Sequence, residues 1–198
     1  MTGMFDTVRR LLRSVRLRLK SAAFLRSARD RWQHPDRVIA ALGVREGDRV
    51  ADLGAGPGYF TFRLARAVGP QGRVYAVDTD PDMSFLVTEA ATRDDVRNVA
   101  VVKAAEDDPM LPEPVDLVLL VNAFHHLPEL TTYLTTLSRY LRPGGRIAII
   151  ETSPRWFTFG HATTPAAIAA AMSGAGYTRV ARHDFLSPQS FQIFERTT

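Results

Sequence analysis

The segment that most constrains the fold runs from Val50 to Phe60 and reads VADLGAGPGYF. An apolar strand-like start is interrupted by three glycines spaced by one residue, and a helical pattern follows. Glycine is needed where a chain turns sharply and where a ligand approaches bare backbone, and the start of a helix has unpaired amide donors. The segment therefore predicts a strand, a ligand-binding turn and a helix.

An acid at the end of the next predicted strand supports a nucleotide ligand. Asp78 closes the run RVYAV and lies twenty residues after Gly58, the last glycine of the turn. A carboxylate in this place can accept hydrogen bonds from both ribose hydroxyls of an adenosine ligand. The combination favours a nucleotide site over a tight glycine turn without a ligand.

Strand-like and helix-like runs alternate along the rest of the chain. Five apolar runs predict strands at 49–53, 73–77, 99–102, 115–121 and 146–151. Several are continuously apolar, as in a parallel sheet covered on both faces. Helices are predicted at 35–42, 59–67, 82–91, 130–141 and 164–174, and a terminal hairpin at 178–185 and 191–196. The expected fold is α/β, a doubly wound Rossmann-like sheet of seven strands, mostly parallel with an antiparallel C-terminal hairpin.

These features resemble the class I S-adenosylmethionine-dependent methyltransferases. The segment from Asp52 to Gly58 is similar to their first motif, in which an acid lies two residues before the first glycine. Dinucleotide dehydrogenases favour a GxGxxG spacing without that acid. Segments 105–109, 115–127 and 141–146 are similar to three later motifs of the superfamily. The resemblance covers about residues 32–196 and does not specify a substrate.

The resemblance implies that the chain binds S-adenosylmethionine and releases S-adenosylhomocysteine. The methionine end would lie over the glycine turn with Asp52 near its ammonium, and Asp78 would hold the ribose. The adenine would lie between Thr79 and Leu127, near Ala105 and Glu106. Ala104 stands where the superfamily often has an acid, so a polar contact to adenine falls to Glu106 or to backbone. Nine residues are thereby placed at the cofactor: Asp52, Gly54, Ala55, Gly56, Gly58, Asp78, Thr79, Ala105 and Glu106.

Methyl transfer from a sulfonium is an in-line displacement, so orientation of the reactants supplies much of the catalysis. A base helps only when the acceptor must lose a proton. His125 and Glu151 are the candidate catalytic residues, because ligands bind beyond the strand ends in such sheets. A histidine satisfied by backbone and a solvated strand-end acid are the structural alternatives. No metal site is expected, since adjacent side chains such as His125 and His126 point in different directions and cysteine is absent.

The segment between the fifth strand and the last helix bears on the acceptor. It holds Trp156, Phe157 and Phe159 around Arg155, within only 12 residues. In the resembled superfamily this interval carries insertions that contact the substrate. A short apolar rim predicts a small-molecule or lipid-like acceptor, and ordinary packing of the aromatic side chains is the alternative.

Basic charge is concentrated at the N-terminus. Residues 1–31 hold nine basic and two acidic side chains, whereas the other 167 residues hold 16 basic and 19 acidic ones. Apolar residues from Met4 to Leu19 recur on one helix face. We therefore divide the chain into a basic amphipathic arm, residues 1–31, and a methyltransferase-like domain, residues 32–198. Peripheral membrane contact through residues 4–20 is one role for the arm, and packing on the domain or on another subunit is another. Nucleic acid is disfavoured because aromatic stacking residues are scarce in the arm.

Composition limits the cellular compartments in which the protein is expected. The sequence also leaves two other functions open. The chain has no cysteine, no apolar run of about 18 residues, and arginines where a secretory signal would be apolar. A cytoplasmic protein is expected, with membrane association through the arm. A non-catalytic S-adenosylmethionine-binding or interaction protein is one alternative. A nicotinamide-dependent oxidoreductase is the other, which the glycine spacing disfavours. The oligomeric state is not predicted.

Overall fold

The computed structural model describes residues 27–153 and 163–197. Its helices and strands alternate as the sequence predicts, after two helices at the start. In chain order they are α1 (Ser27–Gln33), α2 (Pro35–Leu42), β1 (Arg49–Leu53), α3 (Thr61–Ala67), β2 (Arg73–Asp78), α4 (Pro81–Arg93), β3 (Val99–Lys103), β4 (Val115–Val121), α5 (Leu130–Leu137), β5 (Leu141–Thr152), α6 (Pro165–Gly174), β6 (Tyr177–His183) and β7 (Gln189–Arg196). Short 3-10 turns occupy Phe124–His126 and Ser138–Tyr140.

The strands form one seven-stranded sheet in the order β3-β2-β1-β4-β5-β7-β6. Strands β1 to β5 are parallel, and β7 runs antiparallel to both β5 and β6. The prediction of a doubly wound, mostly parallel sheet with an antiparallel C-terminal hairpin is confirmed. The strand order reverses between β1 and β4, and ligands bind at such switch points, beyond the carboxyl ends of the strands.

Helices cover both faces of the sheet, which explains the continuously apolar strands. Side chains such as Val50, Leu117 and Ile150 pack under α2 and α3, and α4 lies beside α3 on the same face. The opposite face, which includes Leu53 and Leu120, packs against α5 and α6. The buried sheet therefore provides a rigid edge for the loops that follow its strands.

Strand β5 differs from the sequence prediction. It begins at Leu141 rather than Arg146, because Leu141 already pairs with Val115 before the register shifts between Val115 and Leu117. The predicted turn is therefore an irregularity within the strand. Pro143 has no amide donor, and Gly144 takes a φ of +74°, so these two residues suit a break in the ladder.

Helix α1 crosses the predicted boundary between arm and domain. Its last residue, Gln33, is fully buried against the fold. Residues 1–26, which include the predicted amphipathic segment 4–20, lie outside the described residues. No helix in the described part of the chain is long and apolar enough to cross a membrane.

Candidate active site

The carboxyl edge of the parallel strands brings the predicted site residues together. The glycine turn follows β1, Asp78 ends β2, the loop with His125 follows β4, and Glu151 lies near the end of β5. Strands β2, β1, β4 and β5 are neighbours in that order. The site residues therefore lie side by side along the carboxyl edge of the sheet, which we call the ledge.

The three glycines of the turn do different things. All have positive φ, at +74° for Gly54, +54° for Gly56 and +87° for Gly58. A Cβ on Gly54 would come within 2.6 Å of the Cβ of Ala123, and one on Gly58 within 2.7 Å of the Phe62 ring. A Cβ on Gly56 would meet no atom within 4 Å. Gly54 and Gly58 therefore allow close packing, whereas Gly56 borders open space.

Asp78 links the glycine turn to the end of β2. Its Oδ2 accepts a hydrogen bond from the amide of Gly56 at 2.8 Å, and its Oδ1 accepts one from the amide of Asp80 at 2.9 Å. The side chain is partly exposed. Because a carboxylate oxygen has a second lone pair, Asp78 can accept hydroxyl donors while it holds the turn in shape.

Asp52 lies beneath the turn and not on its surface. It is 2% exposed, and its Oδ2 accepts a hydrogen bond from the Thr61 hydroxyl at 2.6 Å. Burial raises the pKa of Asp52 to about 6, against the lowering effect of that hydrogen bond. With so little surface, Asp52 would act on a bound ammonium through its charge or through water.

Residues predicted near the adenine lie beside Asp78. The amide of Ala104 donates to the carbonyl of Asp78 at 3.1 Å, which joins the ends of β2 and β3. Thr79, Ala105 and Glu106 follow these ends and are exposed. Leu127, from the loop after β4, is partly buried against the core.

His125 and Glu151 form a pair. The Nδ1 atom of His125 lies 2.9 Å from Oε1 of Glu151, and the side chains are 10% and 0% exposed. Oε2 of Glu151 is buried and has no hydrogen-bond partner among the residues that the structure describes. Burial raises the pKa of Glu151 to about 7. Glu151 is therefore not a solvated strand-end acid, and it can act on a ligand only through His125 or after a rearrangement.

A chain of hydrogen-bonded amide side chains, absent from the sequence prediction, borders the pair. Gln33 Nε2 donates to Gln189 Oε1 at 2.8 Å, and Gln189 Nε2 donates to Asn122 Oδ1 at 2.9 Å. Asn122 Oδ1 also accepts from the hydroxyl and amide of Thr152. Two signals could have found these residues. Asn122 directly follows β4, and Gln189 begins an antiparallel strand, which places it opposite Thr152 at the same edge.

Other predicted features fall outside this geometry. The aromatic rim of Trp156, Phe157 and Phe159 around Arg155 belongs to residues 154–162, outside the described part of the chain. Within residues 27–153 and 163–197, no cluster of His, Cys, Asp and Glu could hold a metal ion. His126 is exposed beside His125, with ring centroids 4.0 Å apart.

The geometry fits the S-adenosylmethionine that the sequence resemblance implies. Open space over Gly56 would be lost if that residue had a side chain. The Asp78 carboxylate beside this space is the acceptor that a ribose diol needs. Gly54, Ala55 and Gly58 shape the turn: Gly54 and Ala55 donate to the carbonyl of Val77, and Gly58 donates to that of Ala55.

Comparison with known proteins points the same way. The methyltransferase domain family matches residues 50–145. An arsenite methyltransferase of Halobacterium salinarum is 34% identical over 119 residues, which are 58% of this chain and 30% of that protein. A demethylmenaquinone methyltransferase of Staphylococcus aureus is 31% identical over 118 residues, 59% of this chain and 48% of that protein. The chain thus aligns with less than half the length of these curated relatives.

Solved structures share the fold. A SAM-dependent methyltransferase from Aquifex aeolicus superposes with a TM-score of 0.81 at 24% identity, over 88% of this chain and 96% of the other. A magnesium protoporphyrin IX methyltransferase from Synechocystis, solved with bound SAM, gives a TM-score of 0.66 at 19% identity, over 84% of this chain and 80% of the other. At these identities the superpositions establish the fold alone.

Proposed function

We propose that the chain belongs to the class I S-adenosylmethionine-dependent methyltransferase superfamily and that it transfers a methyl group from S-adenosylmethionine to a small or apolar acceptor. The observation that carries the proposal is the open space over Gly56 beside the Asp78 carboxylate. A Cβ on Gly56 would meet no atom within 4 Å, so a ligand can approach the bare backbone there, next to a carboxylate that accepts from the Gly56 amide.

Each part of the cofactor has a proposed place on the ledge. The amino-acid end lies over Gly54, Ala55, Gly56 and Gly58, with the charge of Asp52 below. The ribose meets Asp78. The adenine lies against Thr79, Ala105 and Glu106, which are exposed at the neighbouring strand ends. The product, S-adenosylhomocysteine, occupies the same contacts.

When bound, S-adenosylmethionine supplies a methyl group on a sulfonium that is ready for displacement. The work of the chain is therefore to orient the acceptor in line with that methyl and to keep water away. The sheet edge suits this task because each site loop begins from a buried strand.

We propose that His125 handles a proton when the acceptor must lose one. Glu151 is its positioning residue, because the fully buried carboxylate contacts Nδ1 of His125 at 2.9 Å. A carboxylate in this place fixes the orientation of the imidazole and stabilises its protonated form. Acceptors without a proton to lose would not need the pair.

We also propose a class of methyl acceptor, a small or apolar molecule. Two matched relatives are named arsenite methyltransferase and demethylmenaquinone methyltransferase, and both names support a small or apolar acceptor. A lipid-like acceptor would also give the basic arm a purpose, because residues 4–20 could bring the domain to an anionic membrane surface. Those residues lie outside the described part of the chain.

Calorimetric titration followed by a labelling screen tests the function. The full-length protein should bind S-adenosylmethionine and S-adenosylhomocysteine, and it should not bind NAD. Incubation with methyl-labelled S-adenosylmethionine and fractionated cell extract should then label a small or lipid-soluble product. Binding without labelled product in any fraction would favour the non-catalytic alternative, and binding of NAD alone would favour the oxidoreductase.

A further inference from the structure

Helix α1 places an arginine beside the glycine turn. The guanidinium carbon of Arg29 lies 3.9 Å from the centre of the Tyr59 ring and 5.9 Å from that of Phe60. Tyr59 and Phe60 directly follow the last glycine of the turn and precede α3. Arg29 is thus held next to the turn although it lies 25 residues before its first glycine.

Contacts on both sides of Arg29 fix its position. Its Nε donates to Oε1 of Gln33, and Gln33 is itself fully buried and bonded to Gln189. The neighbouring Asp30 accepts from the Tyr59 hydroxyl and forms an ion pair with Arg63 at 3.0 Å. The guanidinium is therefore preorganised on the domain, unlike a solvated surface arginine, and less entropy is lost when it binds a ligand.

The charges around the turn suit a ligand with two opposite charges. Burial lowers the pKa of Arg29, and the nearby Asp52 carboxylate opposes that shift. The charge of Arg29 in turn acts to lower the pKa of the buried Asp52 carboxyl. A partly buried cation and a buried anion thus lie near the start of the turn, and charge interactions between buried groups are stronger than in bulk water.

The amino-acid end of the proposed cofactor carries such a pair, an ammonium and a carboxylate. Helix α3 has only seven residues, so its N-terminus alone is a weak partner for a carboxylate. A guanidinium matches a carboxylate with two parallel hydrogen bonds. Stacking on Tyr59 uses the face of the guanidinium and hydrogen bonds form at its edge, so stacking does not compete with a carboxylate for the same surface.

We propose that Arg29 is a cofactor-binding residue that pairs with the carboxylate at the amino-acid end of S-adenosylmethionine, opposite the charge of Asp52. This inference rests on the proposed function and adds to it a residue from the segment before the domain motifs. Helix α1 is then part of the cofactor site, and Gln33, which bonds to Arg29, is a positioning residue for it.

Decarboxylated S-adenosylmethionine lacks the carboxylate but keeps the rest of the cofactor, so comparing the two ligands measures the contribution of the carboxylate to binding. We would titrate it and S-adenosylmethionine into the full-length protein, its Arg29→Met variant and its Arg31→Met variant. Arg31 lies on the same helix and is exposed, so its variant controls for the loss of one positive charge. Thermal melts of each protein show that it is folded.

The wild type should prefer S-adenosylmethionine over the decarboxylated compound by roughly ten- to a hundredfold, the range for a charge-assisted pair. Arg29→Met should lose most of this preference, because its affinity for S-adenosylmethionine falls while that for the decarboxylated compound stays equal or improves. Arg31→Met should behave like the wild type.

Two results would overturn the assignment of Arg29. An equal loss for both ligands in Arg29→Met would show that the arginine supports the site as a whole, and an unchanged preference would show that the carboxylate binds elsewhere. Failure of the wild type to bind either ligand would instead remove the proposed function, and the role of Arg29 with it.

Discussion

Gly56 combines a left-handed backbone conformation with open space at the proposed cofactor site. Its φ of +54° is one that L side chains rarely adopt, and a Cβ there would point into open space. Gly54 and Gly58 share the positive φ, but close contacts with Ala123 and Phe62 explain them without a ligand. Substitution at Gly56 therefore tests the proposed cofactor site without disturbing the packing beneath it.

We expect Gly56→Asn to abolish measurable binding of S-adenosylhomocysteine while the domain stays folded. Asparagine tolerates the left-handed region better than most residues, so the main effect is a side chain in the ligand space. Gly47→Asn is the matched control, because Gly47 also has a positive φ and open space but precedes β1 at the opposite edge. Titration calorimetry and thermal melts would check both variants, and unchanged affinity in Gly56→Asn would contradict the site.

Replacement of Asp78 by alanine should weaken cofactor binding by about 1.5–3 kcal/mol, the scale for loss of a charged hydrogen-bond partner. Part of the loss would come through the turn, because Asp78 also accepts from the amide of Gly56. Asp94→Ala removes a similar charge from the exposed end of α4 and is the control. If Asp78→Ala and Asp78→Asn both bind like the wild type in calorimetry, the carboxylate does not hold the ribose.

Glu151 should make stability depend on pH. Burial raises its pKa to about 7 from an ordinary value of 4.5, so the folded state holds a proton that the unfolded state has released. The free energy of unfolding is therefore higher when Glu151 is protonated. This contribution is fully present below about pH 4.5 and is lost as the pH rises through about 7. At pH 8 the buried carboxylate then costs about 3 kcal/mol, from the shift and the energy per pKa unit.

Glu151→Gln should accordingly be more stable than the wild type at pH 8, by up to about 3 kcal/mol, with a smaller difference at pH 5. Urea unfolding at the two pH values would measure this. The difference between the variant and the wild type isolates Glu151 from Asp52, whose pKa burial also raises. A variant that is equally destabilised at both pH values would show that an ionised Glu151 is stabilised by His125.

At the level of elements, local sequence predicted the strands well and the first helix poorly. The bounds of β1 and β4 match the prediction, because a continuously apolar run between polar residues marks a strand buried on both faces. Helix α1 was not predicted, and the division between residues 31 and 32 cuts through it. Its attachment depends on polar contacts such as that of Gln33 with Gln189, which lie 156 residues apart, and no local periodicity reports such a contact.

The same limit applies to the site. His125 and Glu151 were each predicted from their positions at strand ends, but their contact was not. It follows from the adjacency of β4 and β5, which brings together loops that are 26 residues apart. Sequence can thus place side chains at the carboxyl edge of a doubly wound sheet, whereas their contacts depend on the strand order.

Helix α1 should depend on its buried amide for attachment. Gln33→Ala would leave Oε1 of Gln189 without its donor in a buried position, and an unsatisfied buried group costs about 1–3 kcal/mol. We expect the free energy of unfolding to fall by that amount. Gln71→Ala, at an exposed position, should have little effect. Equal urea midpoints for the two variants would contradict anchoring of α1 through Gln33.

At the scale of the whole molecule, the basic N-terminal segment and the folded domain overlap: basic charge is concentrated in residues 1–31, but helix α1 already begins at Ser27. Residues 1–26 hold seven basic and one acidic side chain, whereas the proposed cofactor site begins with α1. On this proposal the boundary between the arm and the functional domain lies before Ser27, a few residues ahead of the division predicted from charge. We propose that residues 1–26 form a separable arm that directs the domain to an anionic surface.

Deletion of residues 1–26 should leave a folded domain with cofactor affinity close to that of the full chain, because α1 and Arg29 remain. The full chain should sediment with vesicles that contain anionic lipid, and the deletion should not. This attraction should weaken as salt rises, since charges are screened beyond about 10 Å at 0.1 M. Arg13→Glu/Arg16→Glu is the matched control, because it keeps the apolar face of the arm while it removes positive charge. Sedimentation that persists in this variant and at high salt would leave only apolar contact between arm and membrane. Unfolding of the deletion would show instead that Val8, Leu11 and Val15 belong to the core.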